Sequence, residues 1–283
     1  MIYLWISSAL PYWLTALTPL VAFSSTSILS LTQILQGYLN KVVFLFLGGF
    51  LIARSIQKWD LHKRIALNII HKLGSNIRTI VFSFMLSSAF ISMFLTNTAT
   101  TMMMLPIGLS IIGYLMSHDE KGMSASQQSL MLLSITYSSS IGGMATLNGT
   151  VPNGLTSAFL AEEFSLKLDY LEWFILCFPF VLVALPLSYL VLTRIAFDTK
   201  ANLSKNIEQL IAKELATLGP LSRTEKKIIV VGVLTVLAWL FQPLIRLIYP
   251  DINDAKIAII GGGSLFFISA RNKSRVLELL DFG

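Results

Sequence analysis

Charge is scarce in this chain. Asp, Glu, Lys and Arg make up 13% of its 283 residues, where soluble domains carry about 25%. No Lys or Arg occurs from Thr79 to Glu120. Cysteine is nearly absent: Cys177 stands alone, which excludes an internal disulfide, and its apolar surroundings mark it as packing. Three histidines, His62, His71 and His118, lie near loop positions without a Cys or carboxylate cluster at metal-ligand spacing, which argues against a zinc site. Gly261-Gly262-Gly263 lacks a phosphate-loop lysine and reads as a place of close helix contact. No nucleophile–base set appears, so a membrane enzyme is the least supported class. The opening Met1-Ile2-Tyr3-Leu4-Trp5 has no basic n-region, so no cleavable signal is expected and the chain reads as starting inside an apolar segment.

Apolar sequence is what the chain has in quantity. Apolar residues make up 54% and the mean hydropathy is +0.72. An all-α polytopic membrane protein is expected. The net charge of +6 then reflects basic cytoplasmic loops rather than a nucleic-acid partner. Candidate membrane segments lie at 12–23, 42–56, 80–95, 102–115, 130–141, 154–164, 171–195, 228–249 and 255–270. Several fall short of the roughly 20 residues of a full span, so broken helices or re-entrant arms are expected. A straight helix over 79–116 would run about 57 Å at 1.5 Å per residue, nearly twice the hydrocarbon thickness, so this stretch folds back on itself.

The basic residues set the topology. Seventeen of the 21 Lys and Arg fall in 54–78, 194–227 and 271–275 and at Lys121; the others are Lys41, Lys167, Arg246 and Lys256. The seventeen share one side if 79–116 makes an even number of passes and 130–164 makes one. This is a strong positive-inside signal and places the C-terminus in the cytoplasm. A re-entrant hairpin and two full spans have the same parity. Leu61, Ile65, Ile69 and Leu73, and again Leu203, Ile207, Leu210, Ile211, Leu215 and Leu218, recur at helical spacing beside charges, which predicts two amphipathic interfacial helices. Glu162, Glu163, Asp169 and Glu172 read as a solvated rim, and Asp254 as an N-cap.

Two polar breaks interrupt the apolar sequence. Thr96-Asn97-Thr98 sits between the arms 81–95 and 102–115, and Gly142-Gly143-Met144-Ala145-Thr146-Leu147-Asn148-Gly149-Thr150-Val151-Pro152-Asn153 is a second. Polar groups at membrane depth are costly unless they line a cavity or lie inside protein. Hydroxyls and amide carbonyls are neutral ligands for a hard cation, and a broken helix frees further carbonyls at one end and N–H groups at the other. Paired breaks of this kind signal a transporter binding site for a cation and an anion together. Alone, Thr96-Asn97-Thr98 suits polar helix–helix contact equally well; the helix-disrupting Gly149-Thr150-Val151-Pro152-Asn153 favours a site. Ser87, Ser88, Ser92 and Ser138–Ser140 are weaker candidates.

The chain resembles the divalent anion:sodium symporter family of dicarboxylate, citrate and sulfate transporters. The resemblance rests on Trp5 to Pro11 with Thr15 to Pro19, Phe44 to Phe50 through Trp59, His62 to Leu67, Thr96 to Thr100 with Leu105-Pro106-Ile107, Ile141 to Asn153, and Leu218 to Ser222 with Glu225-Lys226. It implies a re-entrant hairpin over 79–116 with the first motif at its tip. By match, Asn97 and Thr98 face substrate, joined at the second break by Thr150 and Pro152. Ser92, Thr96 and Asn97, with a carbonyl from around Gly149, form a sodium site. Thr96 replaces the family Ser, keeping the hydroxyl and adding a methyl. The acidic residue of the family's entry motif is absent at Trp5-Ile6-Ser7-Ser8.

Family members are usually longer, with two inverted repeats and a second Asn-Thr motif. The second repeat is expected to start near Glu225, and no second motif follows. The expected layout is therefore scaffold-like 1–78; transport-like 79–170, with hairpin 79–116 and broken helix 128–164; a membrane helix and cytoplasmic arm over 171–227; and the start of a second repeat over 228–283. The resemblance implies sodium-coupled transport of small divalent anions such as succinate, citrate or sulfate, by an incomplete chain moving elevator-like in a cell inner membrane. Alternatives are a non-transporting remnant, a subunit of a split transporter, and a sodium-independent anion exchanger. Expected partners are the anion, sodium as coupling ion, lipid, and either a second copy or a chain carrying the missing half; no other cofactor is expected.

Overall fold

A computed structural model describes residues 1–73, 76–118, 122–199 and 207–269. Among these residues there are 14 α-helices and no strand. The chain forms two compact units, Met1–Phe44 and Leu45–Gly283. In the first lie α1 (Ile2–Ser7), α2 (Tyr12–Ser25) and α3 (Leu31–Tyr38). A capping box starts α3: the Ser30 hydroxyl accepts the Gln33 N–H at 3.3 Å, and the Gln33 carbonyl accepts the Ser30 N–H at 3.0 Å. The Tyr38 hydroxyl donates to the Ala16 carbonyl at 2.6 Å and ties α3 to α2.

The second unit takes up most of α4 (Lys41–Lys58) and contains α5 (Leu61–Leu73), α6 (Ile77–Ser92), α7 (Asn97–His118), α8 (Ala125–Gly143), α9 (Val151–Glu163), α10 (Tyr170–Leu190), α11 (Ile207–Thr217), α12 (Arg223–Leu240), α13 (Gln242–Arg246) and α14 (Asp254–Ser269). A π-helical turn, Val191–Ala196, extends α10. By length and composition, Asn97–Ser117 and Tyr170–Ala196 can each cross a bilayer, whereas α6 is a shorter apolar helix. Residues 93–96, within the stretch 79–116, separate α6 from α7.

The core of this unit forms around α6 and α8. Ile80, Val81, Phe84 and Met85 of α6 meet Leu130, Met131 and Ile135 of α8, with Ala66, Leu67 and Ile70 of α5 closing one side. A Cβ on Gly142 would overlap the Ala89 backbone, so glycine sets how closely α8 approaches α6. Hydroxyls are buried in the same seam. Ser83 donates to the Thr79 carbonyl at 2.7 Å, Ser87 to Ser83 at 2.7 Å and Ser138 to Ser134 at 2.6 Å. Each bonds the carbonyl one turn back, which removes the cost of burying it. At the other end of the unit, Gly262 of α14 packs on Gly48 of α4, and Gly261 on Thr235 of α12, while Gly263 touches nothing.

Both amphipathic helices form, as α5 and α11; residues 203–206 of the second lie outside the described residues. Arg64 joins them to α12. It donates to the Leu218 and Gly219 carbonyls at 2.9 and 2.8 Å and pairs with Glu225 at 2.8 Å. Gly219 adopts φ +60°, a conformation that costs glycine little. Lys63 adds an ion pair to Glu214 at 2.8 Å.

Two expectations are corrected. The α14 cap is Asn253, whose Oδ1 accepts the Lys256 N–H at 3.0 Å, and Asp254 is the first helical residue. Asp169 is not solvated: it caps α10 and pairs with Arg246 at 3.2 Å, its side chain 14% exposed.

Candidate functional site

The two polar breaks meet. Residues 93–96 separate α6 from α7, and residues 144–150 separate α8 from α9. Thr146 joins them: its hydroxyl donates to the Met93 carbonyl and accepts the Gly149 N–H at 3.1 Å. Asn153, buried in the first turn of α9, reaches back and donates its amide to the carbonyls of Gly143 and Thr146 at 2.9 and 2.8 Å. The carbonyls freed where α8 ends are thus held by a side chain ten residues further on.

Asn97 sits at the centre. With its amide nitrogen turned to the acceptors around it, it donates to the Ser92 hydroxyl at 2.9 Å, the Ser139 carbonyl at 3.1 Å and the Gly149 carbonyl at 3.3 Å. Two glycines make room. A Cβ on Gly143 would strike the Asn97 side-chain amide, and a Cβ on Gly149 would strike the Gly143 carbonyl and lie 2.8 Å from the Ser92 carbonyl. The Ser92 hydroxyl and carbonyl, the Gly143 and Gly149 carbonyls and the Asn97 amide therefore converge in one small volume. All are neutral oxygen groups apart from the amide nitrogen, and no Asp, Glu, Lys or Arg occurs in 79–118 or 122–161. Electrostatics here comes from dipoles, the arrangement that suits a weakly held hard cation.

Of the residues singled out from sequence, Ser92, Asn97 and Gly149 come together. The Thr96 side chain turns to the start of α7, where its hydroxyl accepts the Ala99 N–H at 3.3 Å. Thr96 also lines an apolar cavity of about 460 Å³ with Arg54, Met103 and Phe266. Thr98 and Pro152 are exposed in the first turns of α7 and α9, and Thr150 is the half-buried N-cap of α9. The Asn97 and Thr98 N–H groups have no partner within α7, and such helix starts favour anions. Sequence reasoning had Ser139 as a weaker candidate and Gly143, Thr146 and Asn153 as members of the second break, without assigning them to the framework of the site. The last three lay within the second break, and the spacing Gly143-x-x-Thr146 followed by Asn153 was the available signal.

The chain is similar to a sodium-dependent dicarboxylate transporter of Staphylococcus saprophyticus, 33% identical over 285 residues. It is also 33% identical over 287 residues to the transporter of the same name from Staphylococcus aureus strain USA300. Each match covers 98% of this chain and 55% of the relative, so the chain spans about half the length of these relatives. Both are named as transporters and not as enzymes. The apolar helices and these relatives make it an integral, multi-pass membrane protein. With residues 1–281 matching the model of the sodium:sulfate symporter transmembrane region, the chain belongs to that family.

Proposed function

We propose that this chain supplies a sodium site and one half of an anion site for sodium-coupled transport of small dicarboxylates. The convergence of Ser92, Asn97, Gly143 and Gly149 between two broken helices carries the reading. Sodium sits among these oxygens, with the Asn97 amide turned so that its oxygen rather than its nitrogen faces the ion. The substrate carboxylate lies against the starts of α7 and α9, where Thr98, Thr150 and Pro152 are found, and its charge is met by helix dipoles and the bound cation. The relatives' names support a dicarboxylate, and the family name admits sulfate as a rival substrate.

The basic stretches favour an orientation with 54–78 and 194–227 in the cytoplasm of a cell whose inner membrane holds the protein. Because the relatives are nearly twice as long, a second reading has the chain acting together with a second copy or with a companion chain.

The test is uptake of labelled succinate into proteoliposomes holding the purified chain, under an inward sodium gradient. Sodium-dependent uptake that falls at least tenfold in Asn97→Ala is the expected result. Uptake equal with and without sodium would mark an exchanger. Uptake unchanged in Asn97→Ala overturns the site assignment. Where the chain alone is silent, uptake regained on co-reconstitution with a partner chain identifies a subunit.

A further inference from the structure

Among the described residues away from Asn97, four buried polar atoms in one place make no hydrogen bond of good geometry. Gln242 is 0% exposed, and both ends of its amide are unpartnered. The Tyr170 hydroxyl and Asp254 Oδ1 are buried and unpartnered too. These residues open α13, α10 and α14 respectively, so three helix starts converge. The cluster is compact. The Tyr170 ring stacks on Trp239 with centroids 4.4 Å apart, and the Trp239 indole donates to the Asp254 carbonyl at 3.1 Å. The Asp254 carboxylate faces the Gln242 amide and the Tyr170 backbone N–H, and the Tyr170 hydroxyl faces Thr146.

Charge does not balance here. Asp169 and Asp254 are two carboxylates, and Arg246 is the cation that faces them. Arg246 is committed: it pairs with Asp169 at 3.2 Å and donates to the Ile252 carbonyl at 3.4 Å. Among the described residues that leaves one negative charge without a counter-ion of its own beside a wholly buried amide, a costly arrangement unless something fills it. The available atoms are a carboxylate oxygen, an amide oxygen and a phenol oxygen. All are hard donors, suited to an alkali or alkaline-earth cation rather than to a soft metal. A single net charge and three protein oxygens match a monovalent ion better than a divalent one.

We propose that Asp254, Gln242 and Tyr170 form a second cation site that takes sodium, separate from the oxygen cluster at Asn97. Thr146 lies between the two, since its hydroxyl faces Tyr170 and bonds the Met93 carbonyl at the α6–α7 turn. Occupancy at one site therefore bears on the geometry of the other.

The experiment is thermal unfolding of the purified full chain in detergent, with sodium chloride titrated against choline chloride at constant ionic strength near neutral pH. In the Asn97→Ala background sodium still raises the Tm, by about 2–4 °C at saturation. Adding Asp254→Asn, which keeps the side-chain shape, removes that rise. Adding Tyr170→Phe, which removes one donor oxygen, raises the sodium concentration at half effect several-fold, and this variant decides the matter if Asp254→Asn does not fold. A rise that survives Asp254→Asn and Tyr170→Phe undiminished means the pocket holds only water and overturns the proposal. A rise already lost in Asn97→Ala overturns it as well. Transport unaffected by Asn97→Ala would sink the functional reading and leave this one standing.

Discussion

Gly143 and Gly263 are both glycines of apolar helices, yet their surroundings differ. At Gly143 a Cβ would collide with the Asn97 side-chain amide; at Gly263 a Cβ would meet nothing within 4 Å. Gly143→Ala is therefore expected to destabilise by about 1–3 kcal/mol through overpacking and to weaken sodium binding at the Asn97 site, because the displaced side chain is a site residue. Gly263→Ala is expected to be neutral or to stabilise by up to about 1 kcal/mol through helix propensity. Unfolding of the two variants in parallel checks both, and equal effects would mean that the close approach at Gly143 does not matter. Asn153 makes a similar point about hydrogen bonds. Its amide is what satisfies two freed carbonyls, so a short amide in the first turn after a break reads as a device for holding the break open. From sequence it was legible as part of a helix-disrupting break, but not as the group that satisfies the freed carbonyls.

At the scale of elements, α5 and α11 were legible because their apolar residues recur at helical spacing beside charges. What that spacing does not report is the tie between them. Arg64 anchors α5 to the carbonyls that end α11 and to Glu225 at the start of α12. Burial of Glu225 opposes ionisation, but the Ser222 N–H and hydroxyl and the Arg64 guanidinium outweigh it and hold the carboxyl below its usual range. A depressed folded value means the stabilisation is fully present above about pH 4.5, the ordinary glutamate value, and is lost as pH falls through the folded value. Arg64→Ala is expected to weaken the acid sensitivity of unfolding below pH 4.5 and to speed proteolysis near Arg223. An unchanged acid limb would show that other groups dominate it. The α6–α8 seam was harder to read. Its many serines looked like weak site candidates, yet most are neutralised by the carbonyl one turn back, so a hydroxyl-rich helix packs as a dry one. Asn253 was missed as a cap because Asp254 beside it is an equally good capping type, and only the backbone decides between neighbours.

Across the whole molecule, the distribution of basic residues predicts the membrane orientation, and the single cysteine makes it testable. In a Cys177→Ser background, a cysteine at Lys167 is expected to react with an impermeant thiol reagent in intact cells, and one at Lys226 only after the membrane is opened. Labelling at both positions from outside would refute the positive-inside assignment. The breaks were visible in sequence as polar islands, but their meeting was not, because it depends on which helix packs on which rather than on any local pattern. That meeting has a thermodynamic consequence. Through the Thr146–Met93 bond the two breaks share one frame, so on the proposed function the cation and the anion held between them are linked ligands. By reciprocity, whatever factor sodium adds to the anion's affinity the anion must return to sodium. Thr146→Val cuts the frame while leaving both sets of ligands in place, so it should preserve each affinity measured alone and abolish the factor that joins them.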